Sequence, residues 1–339
     1  MIIIQLEGGL GNQMFQYALY LQLIKLGRDV KIDDFSGFEH DMQRSPALAP
    51  FGITYETATA GEVERMLDAS PRVRDKIRRK LCGRNKKSYF EADKRYKPEI
   101  LSWDDIYLEG YWQTEKYFGG ASEEVRRAYD LEKLLKYVRA QDCEEKYRIG
   151  TRGDNILQKE EQKTEQETLF EKYLARITSE ESVSVHIRGG DYLLPENQKL
   201  FGGICTENYY KLAMERMKKE HPQCRFYIFT NDKKQMIQQT GQGGYASGGE
   251  RVEIIDLGGQ SDYEEFILMS KCRHHILANS SFSWWASYLN DRPDKTVYAP
   301  GQWLNGWDCT DFYREDMHKI AVTKECGDNR EAEETSIHE

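Results

Sequence analysis

No stretch of this chain approaches the roughly 18 unbroken apolar residues of a membrane-crossing helix. Its best candidate, Phe15 to Ile24, is interrupted by Gln16 and Gln22. Basic residues are in deficit as well: 48 Lys and Arg face 57 Asp and Glu, a formal charge of −9. That balance argues against a nucleic-acid partner, which asks for a basic face, so any bound anion must be held by a local site. The seven cysteines are scattered, odd in number and free of any Cys-x-x-Cys. This excludes a disulfide framework, argues against a zinc cage and fits a reducing compartment. Asp-x-Asp, the metal–diphosphate device of many sugar-nucleotide enzymes, does not occur, and neither does the Gly-x-Ser-x-Gly elbow of a hydrolase. Spacing offers no metal site: His274 and His275 are adjacent in a strand and point to opposite faces, while His186, His221 and His318 have no neighbours at ligand spacing. The opening Met-Ile-Ile-Ile-Gln-Leu has neither the basic start nor the cleavage site of a secretory leader. It reads as a strand beginning at residue 1, and a cytoplasmic location follows, at most at the inner face of the membrane. Asn279-Ser280-Ser281 is then an accidental glycosylation sequon.

What is present is a chain of 339 residues, 39 % hydrophobic and 12 % aromatic, long enough for two domains. Ile2, Ile3, Ile4 and Leu6 make a buried strand, and Glu7-Gly8-Gly9-Leu10-Gly11 a turn. Met14, Phe15, Ala18, Leu19, Leu21 and Leu26 recur at helical spacing, and Asp29 to Asp34 is a second strand. Strand, glycine turn, helix, strand is the βαβ opening of an α/β sheet. Residues 35–120 are less legible; the basic run Arg72 to Lys87 reads as a solvated helix face, and Gly110 to Phe118 as an aromatic-rich turn into a helix. From 122 to 181 the chain is charged and helix-prone. Beyond it, strands at 183–187, 225–230, 251–257, 274–278 and 295–299 alternate with helices at 207–220, 262–272 and 282–290, the pattern of a doubly wound parallel sheet. The expected division is an N-terminal α/β domain at 1–140, a charged helical connection at 141–180, a C-terminal α/β domain at 181–323 and a disordered acidic tail at 324–339.

Ligands of open α/β sheets bind at the carboxyl ends of the strands, so the polar residues there carry the most weight. Gly8-Gly9-Leu10-Gly11-Asn12-Gln13 lets backbone approach a phosphate at a helix start. As a dinucleotide fingerprint, with Asp33 or Asp34 on the ribose, it fails at Met14, which stands where the third glycine belongs. A tight strand-to-helix turn explains the glycines but not the amides of Asn12 and Gln13. His186-Ile187-Arg188-Gly189-Gly190-Asp191 places an arginine fork in flexible backbone, suited to bidentate binding of phosphate oxygens; the plainer reading is a packed histidine and a surface ion pair. Asn279-Ser280-Ser281-Phe282-Ser283-Trp284-Trp285 offers hydroxyls at a helix start, either as N-cap or as diphosphate donors, and its tryptophans read as a core anchor.

The blocks Gly8 to Ala18, Gly110 to Phe118, His186 to Tyr192 and Asn279 to Trp285 resemble the bacterial α-1,2-fucosyltransferases of glycosyltransferase family 11, over roughly residues 1–310. The resemblance implies a GT-B-like fold, two Rossmann-type domains facing a central cleft, and inverting, metal-independent transfer of L-fucose from GDP-fucose to the 2-hydroxyl of a terminal β-galactoside, with no cofactor. It implies that Arg188 holds the diphosphate and stabilises the leaving group, that Ser280, Ser281 and the Phe282 amide add donors, that Asn12 reaches the β-phosphate or fucose, that His186 places the nucleoside and that Asp262 reads the guanine. The expected partners are GDP-fucose and a β-galactoside acceptor, with at most peripheral membrane association. The family's His-x-Arg-Arg-x-Asp has Gly189 in place of its second arginine here. The base is open; Glu7, Asp33 and Glu115 qualify by position only. Alternatives are an NAD-dependent oxidoreductase on the first βαβ unit, a catalytically weak glycan-binding relative, and a transferase of another GDP-sugar.

Overall fold

The computed structural model describes residues 1–149, 169–189, 195–233, 251–258 and 262–321. Its first half opens as expected, with β1 (Ile2–Gln5), α1 (Leu10–Lys25) and β2 (Val30–Asp33). There follow α2 (Ala60–Met66), α3 (Val73–Cys82), β3 (Ser88–Phe90), β4 (Ile106–Glu109), α4 (Ser122–Ala128) and α5 (Leu131–Ile149). These strands form one sheet in the order β2-β1-β4-β3, parallel throughout. After a helical stretch at 169–179 (α6) come β5 (Ser182–Ile187), α7 (Pro195–Phe201), α8 (Glu207–Glu220) and β6 (Arg225–Thr230). The chain continues with β7 (Val252–Ile254), α9 (Asp262–Lys271), β8 (His274–Ile276), α10 (Ser281–Leu289), β9 (Val297–Pro300) and β10 (Met317–Ile320). The second sheet runs β10-β9-β8-β5-β6-β7, again parallel. Two all-parallel α/β sheets are the GT-B-like architecture.

Buried β-branched runs explain the central strands: all six residues of β5 are buried, as a parallel strand covered on both faces requires. Thr59 caps α2 and Thr206 caps α8, each hydroxyl accepting an amide of the first turn. Gly110 to Phe118 is a turn that leads into a helix: Trp112 takes a left-handed backbone, φ 55°, and Thr114 caps a 3-10 turn at Glu115–Tyr117, which a second at Gly119–Ala121 carries into α4. One reading needs correction. The strand closed by Pro300 is not the last, because β10 pairs with it in register Met317↔Val297. Asp191, the glycine-rich segment 241–250, residues 150–168 of the charged connection and the acidic tail lie outside the described residues.

One apolar core runs between the two halves. Phe15 on α1 lies 4.6 Å from the Trp284 ring and 4.9 Å from that of Trp285 on α10, and Phe118 stacks on Trp285 at 5.4 Å. The tryptophans are the core anchor the sequence indicates. Burying a ring such as Phe15 is worth about 1.5–3 kcal/mol, so α1 and α10 hold the sheets together through their shared face.

Candidate active site at the facing strand ends

β5 and β8 are neighbours in the second sheet, so the residues that follow them, Arg188 and Asn279–Phe282, emerge side by side at its carboxyl edge. α1 brings the carboxyl edge of the first sheet onto the same point. The contact is close: a Cβ on Gly11 would lie 2.6 Å from Phe282 N and 2.6 Å from Ser281 C. Only glycine fits there. The starts of α1 and α10 therefore converge, and both present the positive end of a helix dipole to one region.

Hydrogen bonds tie the two starts together. Asn12 Oδ1 accepts from Ser281 Oγ at 2.7 Å and from Gln113 Nε2 at 2.7 Å, which joins three of the four blocks singled out in the sequence. Ser280 is the N-cap of α10, its hydroxyl accepting the Phe282 amide at 3.3 Å. That amide is engaged within the helix start. His186 is buried in β5, and its carbonyl accepts from Tyr210 Oη at 2.8 Å. The His186 ring lies 5.9 Å from that of Phe282, and Nδ1 is buried without a hydrogen-bond partner. Burial, and then the charge of Arg188, lower the imidazole pKa to about 3, so the ring is neutral at any physiological pH. Asp262 stands exposed at the first residue of α9, one turn before Phe266, whose ring packs 5.2 Å from Phe282.

The amides beside the glycines have a structural explanation. Gln13 Nε2 donates to Gly8 O and Ser45 O, both at 2.9 Å, and its Oε1 accepts from Ala47 N at 2.7 Å. Gln16 accepts the Glu7 amide and donates to Gly110 O. Buried amides must be satisfied, and these two fasten the loops around the turn. Gly189 is likewise fixed by its neighbours. Its N–H donates to Asn231 Oδ1 at 2.8 Å, and a Cβ there would lie 2.9 Å from Asp232 Cβ. An arginine in this place would have to displace Asp232.

The three carboxylates open for the base role separate by their surroundings. Asp33 is fully buried and committed: Oδ1 accepts the Phe35 and Ser36 amides, and Oδ2 accepts Tyr107 Oη at 2.6 Å. Asp34 accepts Tyr55 Oη at 3.0 Å, so neither acid is set to hold a ribose. Glu115 feels Arg314 and Asp316, and Arg314 binds Trp284 O and Ser287 Oγ along α10, beyond its first turn. Glu7 directly precedes the glycine turn at the end of β1. Burial, then the Glu109 charge, raise its pKa, with Lys94 opposing and Glu91 adding.

The structure also corrects the histidine reading. His221, at the end of α8, stacks on His274 with ring centres 3.8 Å apart, beside Glu181. Distance along the chain hid this pairing. Whether the trio could hold a metal is decided by the hydrogen bonds. Thr296 N–H donates to His274 Nδ1 at 3.0 Å, so the neutral ring carries its proton on Nε2, the atom facing Glu181 Oε1 at 3.8 Å. A ligating histidine needs the opposite arrangement, with the metal-facing nitrogen bare. The trio does not fit a metal ion.

Comparison with known proteins identifies relatives of this chain. The sequence model of glycosyl transferase family 11 matches residues 103–306. An α-1,2-colitosyltransferase of Escherichia coli is 26 % identical over 94 % of this chain and 95 % of its own length. The O-antigen biosynthesis glycosyltransferase WbnK of Escherichia coli is 26 % identical over 89 % and 94 %. Human galactoside α-(1,2)-fucosyltransferase 1 is 24 % identical over 54 % of this chain and 42 % of its own. Among solved structures, a POFUT1 complex with GDP-fucose aligns over 89 % of this chain and 98 % of its own at 13 % identity, with a TM-score of 0.39.

Proposed function

The chain belongs to glycosyl transferase family 11, and we propose that within it the protein transfers L-fucose from GDP-fucose to the 2-hydroxyl of a terminal β-galactoside, inverting the anomeric carbon without a metal ion. The observation that carries this reading is the convergence of the α1 and α10 starts beside Arg188. Two helix ends and a guanidinium fork supply positive potential where a diphosphate leaves. As the bond from fucose C1 to the β-phosphate oxygen lengthens, negative charge gathers on that oxygen, and Arg188 with the α10 start stabilises it there. Ser281 and Asn12 hold the two sides of the site in register. His186 Nδ1, buried and unpartnered, is available to the nucleoside portion of the donor, and Asp262, exposed at the α9 start, to the guanine edge.

Glu7 is the base in this account. Asp33 is spent on the turn and on Tyr107, and Glu115 is half-buried among the charges of Arg314, Asp316 and Arg126, which leaves Glu7 at the mouth of the glycine turn. It takes the proton from the galactose hydroxyl as the new glycosidic bond forms. The oxidoreductase alternative finds no support: Met14 is fully buried between helix and sheet, and the family is one of glycosyl transfer.

A second reading concerns the donor. One of the E. coli relatives that match nearly end to end is a transferase of colitose, a sugar related to fucose. Presenting purified protein with GDP-fucose and with GDP-linked colitose, lactose being the acceptor in both, separates the two. Fucosyl-lactose formed faster supports the fucose reading; faster colitosyl-lactose replaces it.

A further inference from the structure

No residue of helix α3 is buried. Val73 is 72 % exposed, Ile77 55 % and Leu81 78 %. At about 100° per residue, these three cover about 80° of one face. Lys76 and Lys80 flank the stripe on one side, and Arg74 and Arg78 on the other. Asp75 and Arg79 lie on the opposite face and are the half-buried positions of the helix. Arg79 donates to Ser70 O at 2.7 Å there. The apolar stripe thus points directly away from the protein.

The charge around it is concentrated. Residues 72–87 hold nine basic side chains and one acid, in a chain whose net charge is −9. Arg78 and Arg79 pair with Asp68, and Lys87 with Asp105. The other six, among them Lys76, Lys80 and Arg84, form no ion pair among the described residues. Three outward aliphatic side chains with cations on both flanks form a surface-lying amphipathic helix of the kind that sinks its apolar face between lipid headgroups.

We propose that α3 is a docking surface for an anionic membrane leaflet, with Val73, Ile77 and Leu81 entering the headgroup boundary and the flanking Lys and Arg meeting lipid phosphates. Charge complementarity selects this occupant. A second copy of the helix would bring cation against cation. A nucleic acid would match the charge but leave the aliphatic stripe in water. α3 connects through residues 83–87 to the start of the edge strand β3, at the amino ends of the strands. The membrane would therefore meet the first half of the molecule away from the carboxyl edge where the site lies.

The test is sedimentation of the full chain with vesicles of phosphatidylcholine alone and with about a third phosphatidylglycerol. The expected result is binding to the anionic vesicles only, reversed by salt. Each cation removed should weaken it about five-fold, so K76E/K80E should abolish it. I77S/L81S, which leaves every charge in place, should weaken it about tenfold. Because α3 contributes no side chain to the core, both variants should melt like the parent. Absence of binding to anionic vesicles would overturn the proposal. So would indifference to both variants, or a finding that the same substitutions abolish RNA binding or self-association instead. Vesicle binding and fucosyl transfer are separate readouts, so failure of one leaves the other standing.

Discussion

Arg188 carries the largest single charge that the account places at the reacting bond. Its replacement by alanine should lower turnover about 100- to 1,000-fold, the usual cost of removing one preorganised transition-state donor. Arg188→Lys should recover little, since an ammonium cannot form the planar fork. Near-normal turnover of a folded Arg188→Ala protein would remove it from the mechanism. Glu7 makes a sharper prediction through pH. A base works deprotonated, and burial beside Glu109 raises the Glu7 pKa above its ordinary 4.5. The acidic limb of kcat/KM should therefore lie above that value. Glu7→Gln should abolish the limb and lower kcat about 100- to 10,000-fold, while Glu115→Gln leaves both nearly unchanged. An equal loss in Glu115→Gln would reverse the assignment. At this scale the sequence was legible where residue type alone dictates the role, as at the Ser280 cap. It misled at Gln13, whose amide looks like ligand chemistry in a string of letters and closes a loop in three dimensions. His221 and His274 were illegible for the same reason: only the end of α8 brings them together.

The meeting of α1 and α10 is the element-scale feature on which the site depends. Gly11→Ala should force the two helix starts apart at backbone atoms that cannot yield by side-chain rotation, at a cost of about 1–3 kcal/mol. A lower melting temperature together with a raised KM for the donor is the expected outcome; an unchanged protein would mean that the contact is looser than 2.6 Å implies. The two helices were visible in the sequence because each follows a buried strand and carries apolar residues at helical spacing. Strands β3 and β4 were not, being three and four residues long in a stretch of mixed helical and turn signals. β10 escaped for a related reason: only its end residues, Met317 and Ile320, are buried, which leaves no alternation to read.

For the molecule as a whole, three buried histidines set the acid limit. Burial lowers the pKa of His186 to about 3 and of His274 to about 4, and holds His275 well below its ordinary 6.5. Below 6.5 the unfolded chain takes up protons that the native state refuses. The stability from these groups is thus complete above 6.5 and is lost as the pH falls toward 4 and 3, by about 1.4 kcal/mol per pH unit for each histidine. Glu7, Glu115 and Glu265, raised by burial, protonate more readily when folded and offset part of this loss near the carboxylate range. Melting temperature should fall steadily from pH 6.5 to 5. His274→Asn, which keeps an acceptor for the Thr296 amide, should lessen the slope; a flat profile in the parent protein would contradict the burial assigned to these rings.

The central claim is that this molecule moves fucose by positive charge built from its own residues at two facing strand ends. Incubation with GDP-fucose and lactose in excess EDTA, with GDP and fucosyl-lactose both followed, tests it most directly. The account predicts stoichiometric release of GDP and an α-1,2-linked product at a rate that EDTA does not change. Activity abolished by EDTA and restored by a divalent cation, or no product from this donor under any condition, would contradict it.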